Sequence, residues 1–185
     1  EMQVANTLFG GRFTSMLMTA LRTEGGLTYH ASSSVSRYSA AGPVFIHSYT
    51  QSATTVEALD LAIEKLGALH RRGFSDDMIA SARNYIMGQF PPSLETVSAL
   101  AGMLAFLEQN GLDRSYIDDY GAALEAATPV SIHNTISDVY PAADDLVFVL
   151  LGDAGTIREK AAAYGPLVEM PITEPRFRPP DVDTE

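Results

Sequence analysis

The sequence predicts an α+β domain in which a mainly antiparallel sheet carries helices packed on one face. Two neighbouring strand-like stretches come early, four or five amphipathic helical stretches follow, and one wholly apolar run comes late. Helices and strands are therefore grouped along the chain, which is typical of α+β rather than α/β domains. We expect a single domain over residues 1–170 and a proline-rich extended tail over residues 171–185.

Composition limits the classes of function. A hydrophobic content of 46% and a charged content of 19% describe a globular chain that is long enough to bury a core. There are no cysteines, which excludes disulfides and thiolate zinc sites and is compatible with either the cytoplasm or the periplasm. Residues 113–185 hold 14 acidic and 5 basic residues, so we expect no nucleic-acid partner. No apolar run reaches the length of a membrane span, so we expect no membrane insertion.

The chain is organised around residues 10–29. The residues at helical spacing in its first part predict a helix with one buried stripe, formed by Phe13, Met16, Leu17, Ala20 and Leu21. Glycine pairs at 10–11 and 25–26 mark the start and the end of that helix. Arg22 then lies in the last helical turn and Tyr29 near the start of a strand. A glycine corner between them is expected to bring guanidinium and phenol together.

Arginine and tyrosine side chains both offer hydrogen-bond donors near neutral pH. Two convergent donors suit a carbonyl oxygen, and suit it better once that oxygen becomes an oxyanion. Neither group activates water at neutral pH, so Arg22 and Tyr29 would form half of a catalytic site. The residues alone also allow a structural interpretation, with an arginine at a helix C-terminus and a half-buried strand tyrosine.

The remaining elements follow from spacing and from turn residues. Strands at 27–38 and 43–51, joined by a short loop at 39–42, predict an antiparallel hairpin. Helices are predicted over residues 2–9, 54–72, 75–90, 93–111, 113–126, 128–141 and 156–163. Three signals mark helix starts: a capping box formed by Thr54 and Glu57, an N-cap at Ser75, and Thr128 followed by a proline. Pro91 ends the helix that begins at residue 75.

Two apolar patterns in the second half predict burial. On the helix at 93–111, one side is apolar and is expected to face the core: Val97, Leu100, Ala101, Leu104 and Leu107. The run at 146–152 is apolar throughout, which predicts a central strand that is buried on both faces.

The segments Leu8-Phe-Gly-Gly-Arg-Phe-Thr-Ser-Met-Leu, Leu21-Arg22 and Gly26-Leu-Thr-Tyr29 resemble the second-domain signature of the pitrilysin, insulin-degrading and mitochondrial-processing peptidases. These are inverted-motif zinc peptidases, and the likeness extends over roughly residues 4–170. The resemblance implies the fold unit that occurs in pairs in that family. It also implies that Arg22 and Tyr29 face a zinc ion across a chamber and bind the substrate backbone.

A zinc site of its own is not expected in this chain. The His-x-x-Glu-His motif is absent, and the four histidines, His30, His47, His70 and His133, lack metal-ligand helical spacing. A Gly-x-Ser-x-Gly nucleophile elbow is absent too. The resemblance therefore implies no cofactor here and zinc in a partner domain or subunit that carries the missing motif. We expect the chain to be a fragment of a longer bacterial protein. In the family a strand precedes the helix that corresponds to residues 2–9, and that strand is missing here.

Two functions follow from the resemblance. In the first, the chain is the substrate-binding, non-zinc half of a zinc metallopeptidase that cleaves unfolded peptides, and it is not active alone. In the second, it is a catalytically inactive scaffold or interaction subunit. A stand-alone zinc enzyme would instead require metal bound to the isolated chain.

Overall fold

The computed structural model describes residues 1–36 and 42–173 and has the predicted α+β composition. Its elements are α1 (Met2–Phe9), a π-helix (Met18–Glu24), β1 (Ala31–Val35), β2 (Val44–Ser48), α2 (Thr55–Arg71), α3 (Asp76–Gln89), α4 (Val97–Gln109), α5 (Ser115–Asp118), α6 (Tyr120–Glu125), α7 (Pro129–Val139) and α8 (Ala154–Ala161). Single 3₁₀ turns lie at Ser52–Thr54, Pro92–Leu94 and Ala162–Tyr164. Most of the predicted hairpin loop and most of the proline-rich tail lie outside the described residues.

The predicted antiparallel hairpin is confirmed. Strand β1 pairs with β2 so that Ala31 lies opposite Ser48 and Val35 opposite Val44. Ala31 and Ser33 are buried while Ser34 is exposed, as the two-residue period of a strand requires. The first strand begins at Ala31 and not at residue 27 as predicted.

Helix α1 lies at the centre and contacts α3, α7 and β1. Its residues Val4, Ala5 and Phe9 are fully buried, and the Phe9 ring meets the Tyr140 ring edge-on at 5.7 Å. A partly buried polar network connects α1 to neighbouring elements at the edge of this core. The Asn6 Oδ1 atom accepts hydrogen bonds from the Ser33 hydroxyl at 2.7 Å and from the Tyr140 hydroxyl at 3.2 Å. One amide therefore connects α1 to β1 and to the end of α7.

Most of the predicted helix ends are confirmed. Ser75 Oγ accepts from the Met78 N–H at 3.3 Å, and α3 ends at Gln89, just before the two prolines. Thr128 and Ser131 form a reciprocal capping box at the start of α7. The capping box predicted at Thr54 is wrong, because the 3₁₀ turn before α2 directs the Thr54 hydroxyl to the Gln51 carbonyl oxygen at 3.1 Å.

The predicted burial of the α4 stripe is wrong. Val97 is 86% exposed, Leu104 is 56% exposed and Leu100 is 44% exposed, and only Leu107 of the stripe is buried. The helix also begins at Val97, after a short 3₁₀ turn, and not at residue 93. Helical spacing places apolar residues on one face, but it does not determine what covers that face.

No single helix among residues 1–36 and 42–173 has the length and apolarity to cross a membrane. Asp76–Leu94 and Val97–Gln109 pass the criteria of length and composition only when taken together, and they are bent by 107° where they meet.

The run at 146–152 is not the buried central strand that was predicted. Its outward residues Val147, Val149 and Leu151 are 94%, 89% and 83% exposed. Its inward residues are partly buried, and the Phe148 ring lies 5.4 Å from the Tyr164 ring. Within the described part of the chain, residues 146–151 make no backbone hydrogen bond. A strand requires a neighbour with which to pair, and the pattern of a single segment does not supply one.

Candidate functional site

Arg22 is positioned by the π-helix Met18–Glu24, where an ordinary α-helix was predicted. The wider winding of this π-helix ends at Gly25, whose N–H donates to the carbonyl oxygen of Ala20, five residues back, at 2.8 Å. Gly26 follows with φ +62°, a left-handed conformation that glycine adopts without steric cost. The predicted glycine corner after Arg22 is therefore confirmed, although the helix leading into it is of a different kind.

Tyr29 is positioned by a side-chain latch and not by strand pairing. The Thr28 hydroxyl donates to the Tyr49 carbonyl oxygen at 2.6 Å and accepts from the His30 N–H at 3.1 Å. The Thr50 hydroxyl donates to the Leu27 carbonyl oxygen at 2.6 Å. These bonds fasten residues 27–30 to the end of the neighbouring strand without a backbone ladder. They explain why β1 begins later than predicted. From the sequence, Thr28 was expected only to separate Arg22 from Tyr29, with no chemical role of its own.

The structure brings Arg22 and Tyr29 into direct contact. The Arg22 Cζ atom lies 4.2 Å from the centre of the Tyr29 ring, which is within cation–π range. Tyr29 is 71% exposed and Arg22 is partly buried. The guanidinium lies over the ring, so the two groups touch without a hydrogen bond between them. Among residues 1–36 and 42–173, neither side chain has a hydrogen-bond or ion-pair partner.

Phe13 belongs to the same cluster, which the sequence did not predict. It was expected on the buried stripe, but residues 10–15 form turns and not helix, so the helical phase does not reach it. Phe13 is 61% exposed, and the Arg22 Cζ atom lies 4.8 Å from the centre of its ring. Its apolar character favoured a place in the core, and no local motif marked it as a surface residue.

This arrangement can donate hydrogen bonds but has no group that activates water near neutral pH. The guanidinium N–H groups and the Tyr29 hydroxyl have no acceptor in the part of the chain that the structure describes. A carbonyl oxygen, or the oxyanion derived from it, is an acceptor of suitable charge for both. Two surface grooves, one between α2 and Lys160 and one between α4 and α5, lie elsewhere and are not lined by Arg22 or Tyr29.

The four histidines lie on β2, on the segment just before β1, and on helices α2 and α7. His47 faces Ser32 across the hairpin and is exposed, while His70 Nε2 lies 3.1 Å from the Pro141 carbonyl oxygen. His30 and His133 are exposed. The described residues contain no group of three or more His, Asp or Glu side chains that could hold a metal ion.

Comparison with known proteins identifies relatives of this fold. The family model described as the peptidase M16 inactive domain matches residues 1–86. An uncharacterized zinc protease of Streptomyces coelicolor is 25% identical over 138 residues, which are 75% of this chain and 30% of that protein. The probable inactive metalloprotease YmfF of Bacillus subtilis is 29% identical over 133 residues, which are 71% of this chain and 30% of that protein. The chain thus spans less than a third of these curated relatives.

Solved structures share the fold at lower sequence identity. The peptidase M16 inactive domain from Pseudomonas fluorescens superposes with a TM-score of 0.68 at 21% identity, over 75% of this chain and 33% of that one. The periplasmic protease PqqL from Escherichia coli gives a TM-score of 0.62 at 17% identity, over 76% of this chain and 15% of that one. The antiparallel hairpin and the helices packed against it are therefore an arrangement seen in other proteins.

Proposed function

Because the chain belongs to the peptidase M16 family, through the inactive domain that its residues 1–86 match, we propose that it is the substrate-binding, zinc-free half of a zinc metallopeptidase. Its substrates are unfolded peptides, which it holds opposite a zinc-bearing domain or subunit. The observation that carries the proposal is the contact between Arg22 and Tyr29, 4.2 Å from Cζ to ring centre, on an exposed surface.

The side chains of this chain bind and orient the peptide. Arg22 donates to a substrate carbonyl oxygen, and the Tyr29 hydroxyl donates to the oxyanion that develops at the cleaved bond or beside it. Donors that are already in place stabilise such charge without reorganising during the reaction. The described residues do not fit a zinc ion, since no group of three metal-binding side chains is present among them. Zinc and the general base are therefore assigned to the partner.

A complex with a zinc-bearing partner, one that carries His-x-x-Glu-His, tests this role. The isolated chain is expected to hydrolyse no unfolded fluorogenic peptide, and the complex to hydrolyse it. Tyr29→Phe keeps the ring over Arg22 and removes only the hydroxyl. It is expected to lower kcat about 100-fold, the usual cost of losing one oxyanion donor.

Tyr49→Phe is the matched control, because Tyr49 is a similarly exposed tyrosine, at 54%, and its ring does not contact Arg22. Wild-type kcat in both tyrosine variants would remove Tyr29 from the reaction.

An inactive scaffold is the second candidate. The name of one relative, a probable inactive metalloprotease, favours it. In that case the chain would still bind its partner, while Arg22→Ala and Tyr29→Phe would leave both peptide binding and turnover by the complex unchanged. Peptide affinity measured for the wild-type and variant complexes therefore separates the two candidates.

A further inference from the structure

The Arg22 guanidinium contacts two exposed aromatic rings and not one. Its Cζ atom lies 4.8 Å from the centre of the Phe13 ring and 4.2 Å from that of the Tyr29 ring. Both distances are within the range of a cation–π interaction. Phe13 leaves 61% of its surface exposed, so burial in the core does not account for its position.

The turn that carries Phe13 is anchored on both sides of the ring. Arg12 Nη1 donates to the Ser81 hydroxyl at 3.0 Å, which connects the turn to α3. Ser15 is fully buried, and its hydroxyl accepts from the Met18 N–H at 3.4 Å, at the start of the π-helix. Phe13 therefore extends to the surface from a fixed backbone.

We propose that Phe13 is a positioning residue for Arg22. A long arginine side chain at a surface has many rotamers, and ordering it has an entropic cost that is incurred at binding unless the side chain is already held. Contact with a second ring restricts the guanidinium to one place over Tyr29. The two rings do not accept conventional hydrogen bonds from the Arg22 N–H groups. These donors therefore stay available to a carbonyl oxygen.

The catalytic consequence rests on the proposed function, whereas the positioning itself does not. Phe13→Leu removes the ring and keeps an apolar side chain, and Phe13→Tyr keeps the ring. Phe45→Leu is the matched control, because Phe45 is an exposed aromatic residue, at 54%, on β2, and its ring does not contact Arg22.

The first measurement uses NMR of the 185-residue chain and needs no partner. Protons over an aromatic ring are shifted upfield, so the Arg22 δ-protons and Nε–H report the contact. The upfield shift is expected to decrease in Phe13→Leu and to persist in Phe13→Tyr and Phe45→Leu. An unchanged Arg22 spectrum in Phe13→Leu would overturn the proposal, whatever the complex does.

The second measurement is steady-state kinetics of the complex with the zinc-bearing partner. Phe13→Leu is expected to lower kcat/KM by about 10-fold to 100-fold, the range that follows from displacing a positioning group. Phe13→Tyr, which keeps the ring, is expected to retain the wild-type kcat/KM. Unchanged kinetics in Phe13→Leu alongside a large loss in Arg22→Ala would overturn the role of Phe13 in the reaction. Unchanged kinetics in both, with the upfield shift reduced, would support the contact between Phe13 and Arg22 and overturn the proposed function.

Discussion

Gly10 lies against the backbone of Ser33, so close that a Cβ atom at position 10 would come within 2.3 Å of the Ser33 nitrogen. The Ser33 N–H donates to the Gly10 carbonyl oxygen at 3.2 Å. This contact joins the end of α1 to β1 through backbone atoms. It fixes the hairpin relative to the turn from which Phe13 extends, and hence relative to Arg22.

We expect Gly10→Ala to destabilise the fold, because the added methyl group meets backbone that cannot move without displacing β1. Overpacking of this kind costs about 1–3 kcal/mol, and we expect the upper end of that range. The measurement is the urea midpoint of unfolding. Gly102→Ala is the control, since a Cβ at 102 in α4 meets nothing within 4 Å. That variant is expected to gain about 0.5–1 kcal/mol. Equal midpoints for the two variants would contradict the close approach.

Thr28→Val is expected to loosen Tyr29, because it removes the hydroxyl that donates to the Tyr49 carbonyl oxygen at 2.6 Å and keeps the shape of the side chain. The loss in stability is expected to be about 0.5–1.5 kcal/mol, the net contribution of one hydrogen bond whose acceptor water can reach. Amide hydrogen exchange at His30, whose N–H donates to the Thr28 hydroxyl at 3.1 Å, should accelerate. Thr23→Val, at an exposed threonine of the π-helix, is the control and should leave that exchange unchanged. Slow exchange in Thr28→Val would argue against the latch.

Leu104→Ala on α4 and Leu66→Ala on α2 should differ strongly in stability. Leu104 is 56% exposed, whereas Leu66 is 1% exposed. Truncating a buried leucine costs about 2–5 kcal/mol, while a surface change stays within about 0.5 kcal/mol. Chemical denaturation of the 185-residue chain measures both. Comparable losses would mean that the α4 stripe is buried after all, as its spacing alone predicts.

Stability should decline at alkaline pH because of two tyrosines. Burial raises the pKa of Tyr140 above its ordinary value of 10.0. Burial, together with the hydrogen bond to Asp60, raises the pKa of Tyr164 to about 12. The folded state holds both protons more tightly than the unfolded chain. The stabilisation is therefore complete below the unfolded value of 10.0 and is lost as pH rises through the folded values.

Urea midpoints measured from neutral pH to about pH 12 test this linkage. The double variant of Tyr140→Phe and Tyr164→Phe should lose less stability over that range than the wild-type chain. Tyr85→Phe, at a tyrosine that is 42% exposed, should behave as the wild type. If the double variant showed the full alkaline loss, other groups would be responsible.

Local signals in the sequence predicted those features that local chemistry determines. The N-caps at Ser75 and Thr128, the end of α3 before two prolines and the glycine corner at Gly26 each depend on a few neighbouring atoms. The contact between Arg22 and Tyr29 follows from that corner. Each of these features was therefore predictable before any tertiary contact was known.

The remaining features depend on what lies across space. The apolar face of α4 has the same spacing as a buried helix, so the pattern could not reveal that Val97 is 86% exposed. Phe13 was placed by extending a helical phase through residues that form turns instead. The π-winding around Arg22 leaves no mark in residue type, because the same side chains suit an α-helix.

The outward valines of residues 146–151 affect how the protein behaves in concentrated solution. Six uncharged residues without proline, apolar on the outer face and unpaired along the described backbone, have the character of a segment that stacks into fibrils. Asp144 and Asp145 precede the run and Asp153 follows it, and their mutual repulsion opposes such stacking. The hydrogen bond from the Thr156 hydroxyl lowers the pKa of Asp153, so this carboxylate keeps its negative charge to a lower pH. We therefore expect these three aspartates to contribute to the colloidal stability of the purified chain, and acidic, high-salt storage to remove that contribution.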